Sequence, residues 1–257
     1  MIARREVILG GSLTLLWAAM HPCAGTAQAR SRAAYRGCIL TEAELSSYYD
    51  TKAEMRMYMT GREPIIHKSG NAAFDYALAQ TLARLTATLQ VLPGFAYYDD
   101  HDGLNAFASD AVRMQKADGT VLFGSRLLRR LMAGDDHPDV AVTAVCAHEY
   151  GHILQFKRGL IPRLQAGQTT VKRAELHADF LAGYYAGRRK LEKRDYPAAV
   201  FAATQHSFGD NQVSHPSHHG TPDERAAAIV AGFKAGYEQG RPLEDAITTG
   251  IAYVSRL

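Results

Sequence analysis

His148-Glu149-Tyr150-Gly151-His152 is the stretch that decides how this chain is read. On an α-helix each residue advances about 100°. His148 and His152, four apart, therefore project from one face one turn apart, at a separation that lets both imidazoles reach one metal ion. Glu149 lies about 100° round from His148, at the edge of that face, where it can meet a metal-bound water without being a ligand. Two neutral imidazoles and a carboxylate are the usual catalytic zinc set, with a fourth position left for water whose pKa the metal lowers towards roughly 7. The chain holds eleven histidines, and H-E-x-x-H arises by chance in roughly two of a hundred such sequences. A pair of core histidines on an amphipathic helix is thus the competing reading, and a third ligand must decide.

The metzincin extension of the motif needs Gly and His where Gln155 and Arg158 stand, which excludes that ligand set. Further on, Ala174-Glu175-Leu176-His177-Ala178-Asp179 falls in a helical stretch over about 170–191, beyond a connection at 159–167 that contains Pro162. Glu175 and Asp179 are four apart and share a helix face. Glu175 can bind the metal while Asp179 accepts a hydrogen bond from a ligating histidine and fixes its tautomer. His177 as the ligand instead would point roughly 160° away from Glu175 and turn the acidic pair away from the metal. A solvated surface pair is the remaining alternative.

At the other end of the chain, Arg4 and Arg5 precede an apolar run at 7–20 that contains Gly10 and Gly11. The run is too short and too weakly apolar for a comfortable transmembrane helix. With the small-x-small pattern Ala27-Gln28-Ala29 it reads as an export signal over 1–29, leaving a single domain at 30–257 that starts near Arg30, in the periplasm or outside the cell. The arginine pair admits the twin-arginine route; ordinary secretion and an uncleaved anchor stay open beside it. Cleavage leaves Cys38 and Cys146. They either form one disulfide in an oxidising compartment or leave Cys146 as a small core residue in the apolar stretch around 140–147. A composition of 47% hydrophobic and 21% charged residues excludes wholesale disorder and a polytopic membrane protein. Lys+Arg 29 against Asp+Glu 26, net +3 with no long basic run, argues against a nucleic-acid partner.

Between signal and motif, apolar spacing predicts helices over 42–59 and 71–91, the latter carried by Phe74, Leu78, Leu82, Leu85 and Leu89 and ended by Pro93-Gly94. Short β-favouring runs at 95–98, 105–108 and 120–123 suggest a small sheet of about three strands. From Arg126 the pattern returns to helix, with Pro138 suited to a first turn just after Asp135-Asp136. The fold class expected is α+β and mainly helical. Late in the chain, His215, His218 and His219 lie in a Gly/Ser/Pro-rich loop, and Thr221-Pro222-Asp223-Glu224 has the form of a helix cap and first turn. That loop can bring a histidine to the metal, or it is a solvated histidine-rich loop.

HEYGH, followed by ELHADFLAG, resembles the gluzincin metallopeptidases, and within them the HtpX-like and CAAX-prenyl-protease-like family whose soluble catalytic domains are called minigluzincins. Asn105-Ala106-Phe107-Ala108, then Asp118-Gly119-Thr120-Val121-Leu122-Phe123-Gly124 and Leu127-Leu128, resembles that family's strand segment. The resemblance implies a zincin-like domain with an edge strand lying over the metal helix. His219-Gly220-Thr221-Pro222-Asp223-Glu224-Arg225 resembles the family element HP-x-x-x-x-R, with Gly220 where Pro is usual; His215-Pro216 stands just upstream, so His215 and His219 both compete for the family role, the spacing to Arg225 favouring His219. The similarity covers about 71–230, and the family's membrane helices are absent.

The expected activity is zinc-dependent cleavage of envelope or periplasmic polypeptides, with one Zn2+ per chain on His148, His152 and Glu175, and Asp179 behind a ligand. Glu149 serves as general base towards the activated water. His219 and Arg225 act on the reacting group, the loop or the substrate. The substrate lies extended along the edge formed by Thr120, Val121, Leu122, Phe123 and Gly124. The alternative of a different class is an assembly or quality-control factor on the same zinc fold that acts mainly by binding clients.

Overall fold

The computed structural model describes residues 39–40 as backbone and residues 63–101, 103–116 and 118–257 in full, all within a unit that runs from Tyr35 to Leu257. The arginine pair, the Ala27-Gln28-Ala29 site, Cys38 and the helix expected over 42–59 lie outside the described residues.

Helix α1 (Ala72–Leu89) matches the expected 71–91 helix. Asn71 starts it by accepting hydrogen bonds from the Ala73 and Phe74 amides, and Leu78, Leu85 and Leu89 form its buried stripe. The sheet comprises β1 (Ile39–Leu40), β2 (Gly94–Tyr98), β3 (Ala106–Ser109) and β4 (Thr120–Gly124), one strand more than expected, in the order β1-β3-β4-β2. β4 pairs in parallel with β2, from Gly94↔Thr120 to Tyr98↔Gly124, and antiparallel with β3, from Ala106↔Phe123 to Ser109↔Thr120.

β4 is therefore an interior strand, which corrects the expectation that Thr120, Val121, Leu122, Phe123 and Gly124 form an open edge for substrate. All five of its residues are buried. A run without polar alternation fills both faces of a sheet and suits a strand with neighbours on both sides. The strand lying most closely against the HEYGH helix is β3. Asn105 O accepts from Gly124 N at 2.9 Å, so by antiparallel alternation Ala106 turns its own N–H and C=O away from β4.

Helix α2 (Ser125–Met132) leaves β4 directly. Its first turn is capped from a distance by Asp100, whose carboxylate accepts from Arg126 N at 2.6 Å and Leu127 N at 2.9 Å, and also from Asn105 N at 3.3 Å. One buried carboxylate thus ties the lead-in of β3 to the start of α2. Helix α3 (Pro138–Lys157) carries HEYGH, with Pro138 in its first turn as expected; its N-cap residue is His137, at φ 47° and without a side-chain cap. From Val142 to Gln155 every residue of α3 is buried, as is every residue of Ala174–Gly187 in α5 (Lys172–Glu192), so these two helices form the centre of the fold. Cys146 is a free cysteine in that interior, in keeping with the core reading.

A short α4 (Ile161–Gln165) occupies the 159–167 connection, and α6 (Ala199–Ser207), α7 (Pro222–Tyr237) and α8 (Leu243–Val254) complete the order. Thr221 and Glu224 close a capping box at the start of α7, as the sequence predicts: Glu224 N donates to Thr221 Oγ1 at 3.2 Å and Thr221 N to Glu224 Oε2 at 2.9 Å. Helices α5 and α7 cross in backbone contact, for a Cβ at Gly183 would run into the Ile229 carbonyl and one at Gly232 into that of Phe180. That close approach brings Arg225, in the first turns of α7, against Asp179 on α5. Among the described residues no helix is long and apolar enough to cross a membrane.

Candidate metal centre

The two central helices bring His148, His152 and Glu175 together as a buried group whose ligand atoms converge on one point. His148 Nε2 and His152 Nε2 are 3.0 Å apart, His148 Nε2 is 3.3 Å from Glu175 Oε2, and His152 Nε2 is 3.6 Å from Glu175 Oε1. An ion with tetrahedral bonds of about 2.0–2.1 Å sets its ligand atoms about 3.3–3.4 Å apart, close to the mean of these separations. The group can hold a metal ion.

The hydrogen bonds around it say which atoms face inward. Asp179 Oδ1 stands 2.7 Å from His148 Nδ1, and a carboxylate held ionised can only accept there, so the imidazole proton lies on Nδ1. The Nε2 lone pair is then aimed at Glu175 and at the second imidazole. Both carboxylate oxygens of Glu175 are buried without a hydrogen-bond partner among the described residues. Lone pairs facing a carboxylate at such distances repel unless a cation lies between them. Burial works against the charge of Glu175, but the interactions with the neighbouring imidazoles of His152, His219 and His148 outweigh it and hold the carboxyl well below the usual carboxylate range. Glu175 therefore presents an anion, which is what a cation ligand requires.

Asp179 is itself held by Arg225, a contact that the sequence does not announce. Arg225 Nε donates to Asp179 Oδ2 at 2.8 Å and Nη2 donates to Oδ1 at 2.9 Å, while Nη2 also reaches Gln205 Oε1 at 2.8 Å and Nη1 the Phe208 carbonyl at 3.3 Å. This two-pronged ion pair is buried at both ends. Burial opposes the charge of Asp179, and Arg225 and His148 more than offset it, so its carboxyl lies below the usual range. Arg225 positions Asp179, and through it His148.

A cleft of about 210 Å³ opens on the ligand helices. Leu104, Ala106, Leu127, Val145 and Phe208 line its apolar side, and His148, Glu149, Gln205, His219 and Arg225 its polar side. Glu149 is no member of the ligand set, as the helix geometry predicts. Its Oε2 is buried without a hydrogen-bond partner among the described residues, and burial pushes its carboxyl pKa up. A carboxylate so placed is a proton acceptor in search of a donor. Of the late histidines, His219 lines the cleft whereas His215 is exposed and accepts from Ser217 N at 3.2 Å. His218 is buried against Asp210, with Nδ1 to Oδ1 at 2.6 Å, and Asp210 also accepts from His219 N at 3.1 Å. Gly220 follows at φ +111°, a conformation closed to proline, whose ring fixes φ near −65°.

Three residues of the site escape the sequence patterns. Gln205 and Asp210 are too far along the chain from their partners for any spacing rule. Gln155 had a signal, since it stands three residues after His152 on the same side of α3; its Oε1 lies 3.0 Å from His152 Nδ1. His177 is buried away from the ligand point, as the helix angle implies, and burial lowers its pKa to about 4, so its ring is neutral. No protein-family model, curated protein or solved structure matches the chain, and the case for the site rests on its own geometry.

Proposed function

We propose that this protein is a zinc-dependent endopeptidase with a zincin-like catalytic domain, exported and acting on envelope polypeptides. The observation that carries the proposal is Glu149: a buried carboxylate with its Oε2 unpartnered among the described residues, one residue from a ligand, at the wall of the cleft. A structural metal site needs no such group; a hydrolytic one does.

Bound zinc would polarise the scissile carbonyl and acidify water at the centre. Glu149 takes the proton from the attacking water and returns it to the leaving amine. His219 donates a hydrogen bond to the oxygen that becomes negative. Asp179 keeps His148 in the ligating tautomer, and the apolar wall of Leu127, Val145 and Phe208 excludes bulk water. The substrate backbone lies along the Leu104–Ala106 lead-in of β3, where the Ala106 polar groups turn away from β4.

Purified protein should hold about one zinc per chain, should cleave unfolded polypeptide, should lose that activity to a chelator and regain it with zinc, and His148→Ala should remove most of the metal. The exported form should begin near Arg30. Protein that never carries more than trace metal would overturn the proposal.

The loop gives a sharper expectation. If His219 stabilises the oxyanion, His219→Ala should lower turnover with zinc retained; a rise in activity on small peptides would instead mark His219 as a gate that closes the site. The exposed His215→Ala should leave both unchanged, and equal effects from the two variants would withdraw the assignment of His219.

A further inference from the structure

The environment of His148 explains its tautomer, but that of His152 is different: among the described residues no carboxylate stands behind it. Gln155 Nε2 lies 2.7 Å from the Ala174 carbonyl, and a carbonyl can only accept. The amide nitrogen must therefore face Ala174, which leaves Gln155 Oε1 against His152 Nδ1 at 3.0 Å. An oxygen can only accept there, so His152 carries its proton on Nδ1 and turns the bare Nε2 to the ligand point. The same amide nitrogen is 3.1 Å from His177 Nδ1, which must then accept, placing the His177 proton on Nε2. That atom faces the Ile247 carbonyl of α8 at 3.4 Å, again an acceptor. Every donor in this relay from His152 through Gln155 and His177 to Ile247 meets an acceptor, and all three side chains are buried.

We infer that Gln155, with its amide orientation locked by the Ala174 carbonyl and by His177, is a positioning residue that sets His152 in its metal-binding tautomer, and that His177 and the Ile247 carbonyl extend this lock to α8. The inference rests on the proposed metal reading of His148, His152 and Glu175. It assigns a role to His177, a residue that the ligand set leaves without one, and it ties the C-terminal helix to the metal helix through hydrogen bonds.

The direct test uses the full chain free of metal, labelled with 15N-histidine. Two-bond proton–nitrogen correlation should show His152 carrying a proton on Nδ1 and His177 carrying its proton on Nε2. Zinc affinity by chelator competition supplies the second readout. Gln155→Met keeps the volume and removes both donor and acceptor, and it should weaken zinc binding by about 10–100-fold. Gln155→Glu keeps an acceptor for His152 but sets its other oxygen against the Ala174 carbonyl, where it must carry a proton, so it should bind zinc less tightly than the wild type and more tightly than Gln155→Met. Urea unfolding of the metal-free proteins separates these effects from loss of fold.

Wild-type His152 with no proton on Nδ1 would overturn the inference. So would a folded Gln155→Met with wild-type zinc affinity, or equal losses in both variants, which would mark Gln155 as packing alone. If Gln155→Met does not fold, the wild-type spectra and Gln155→Glu still decide. A wild-type chain that takes up no zinc would sink the metal reading, yet the tautomers would remain measurable in the same sample.

Discussion

Glu149→Gln should lower peptide hydrolysis by at least ~10²-fold, the lower end of what a positioned general base contributes, while zinc content and fold stay as in the wild type. The amide is close in shape to the carboxylate, so the cleft wall formed with Val145 and Leu127 is preserved. What disappears is the proton acceptor. Glu149 is not among the ligand atoms, so the metal has no reason to leave. Stability should rise slightly if it moves at all, because burial penalises a carboxylate at this position and a neutral amide escapes most of that penalty. The same variant separates catalysis from client binding. Envelope proteins that accumulate in cells carrying Glu149→Gln would name the substrates, whereas unchanged effects on clients would support a protein that acts by holding them. Full hydrolytic activity in Glu149→Gln would refute the mechanism, since Glu175 and Asp179, the other acidic groups beside the ligand histidines, are both committed, one to the ligand point and one to Arg225.

The centre was legible because its information is local. Four-residue spacing puts His148 over His152 and Glu175 over Asp179, and the apolar residues around them mark α3 and α5 as core helices. Thr221 to Glu224 announced its own capping box. Strand order was not legible, because pairing between β2 and β4 joins residues that lie twenty-six positions apart, Gly94 with Thr120. A clue was present even so: Thr120-Val121-Leu122-Phe123-Gly124 lacks the alternation that an exposed strand keeps, and interior position follows from that. The polar contacts behind the ligands were hidden for a different reason. Arg225 reaches Asp179 only because glycines at 183 and 232 let α5 and α7 touch, and no pattern in either helix alone encodes their crossing. Gln155 answers to a backbone carbonyl, that of Ala174, and a carbonyl leaves no trace in residue identity.

Arg225→Met should destabilise the metal-free protein by about 3–5 kcal/mol, the usual cost of removing one partner from a buried ion pair. Arg225 is 4% exposed and Asp179 is fully buried, so water cannot replace the guanidinium. Asp179 would keep only the His148 Nδ1 proton, and its charge would draw a second proton onto that imidazole, closing Nε2 to metal. Zinc affinity should therefore fall together with stability. The pH dependence has a definite sign. In the wild type the Asp179 carboxyl lies below its ordinary value, so its contribution is present above the unfolded-chain pKa of about 3.9 and is lost as pH falls through the lower folded value. Without Arg225 that favourable shift is gone, so the stability gap between wild type and variant should be widest near neutral pH and should narrow as pH falls below about 4. Urea unfolding across that range measures it. Adding Asp179→Asn to Arg225→Met removes the uncompensated charge while an amide oxygen can still accept from His148. The double variant should thus be more stable than Arg225→Met alone, although it contains one more substitution. Simple additivity of the two losses would mean that Arg225 acts by filling space between α5 and α7 and that the charge on Asp179 is balanced elsewhere.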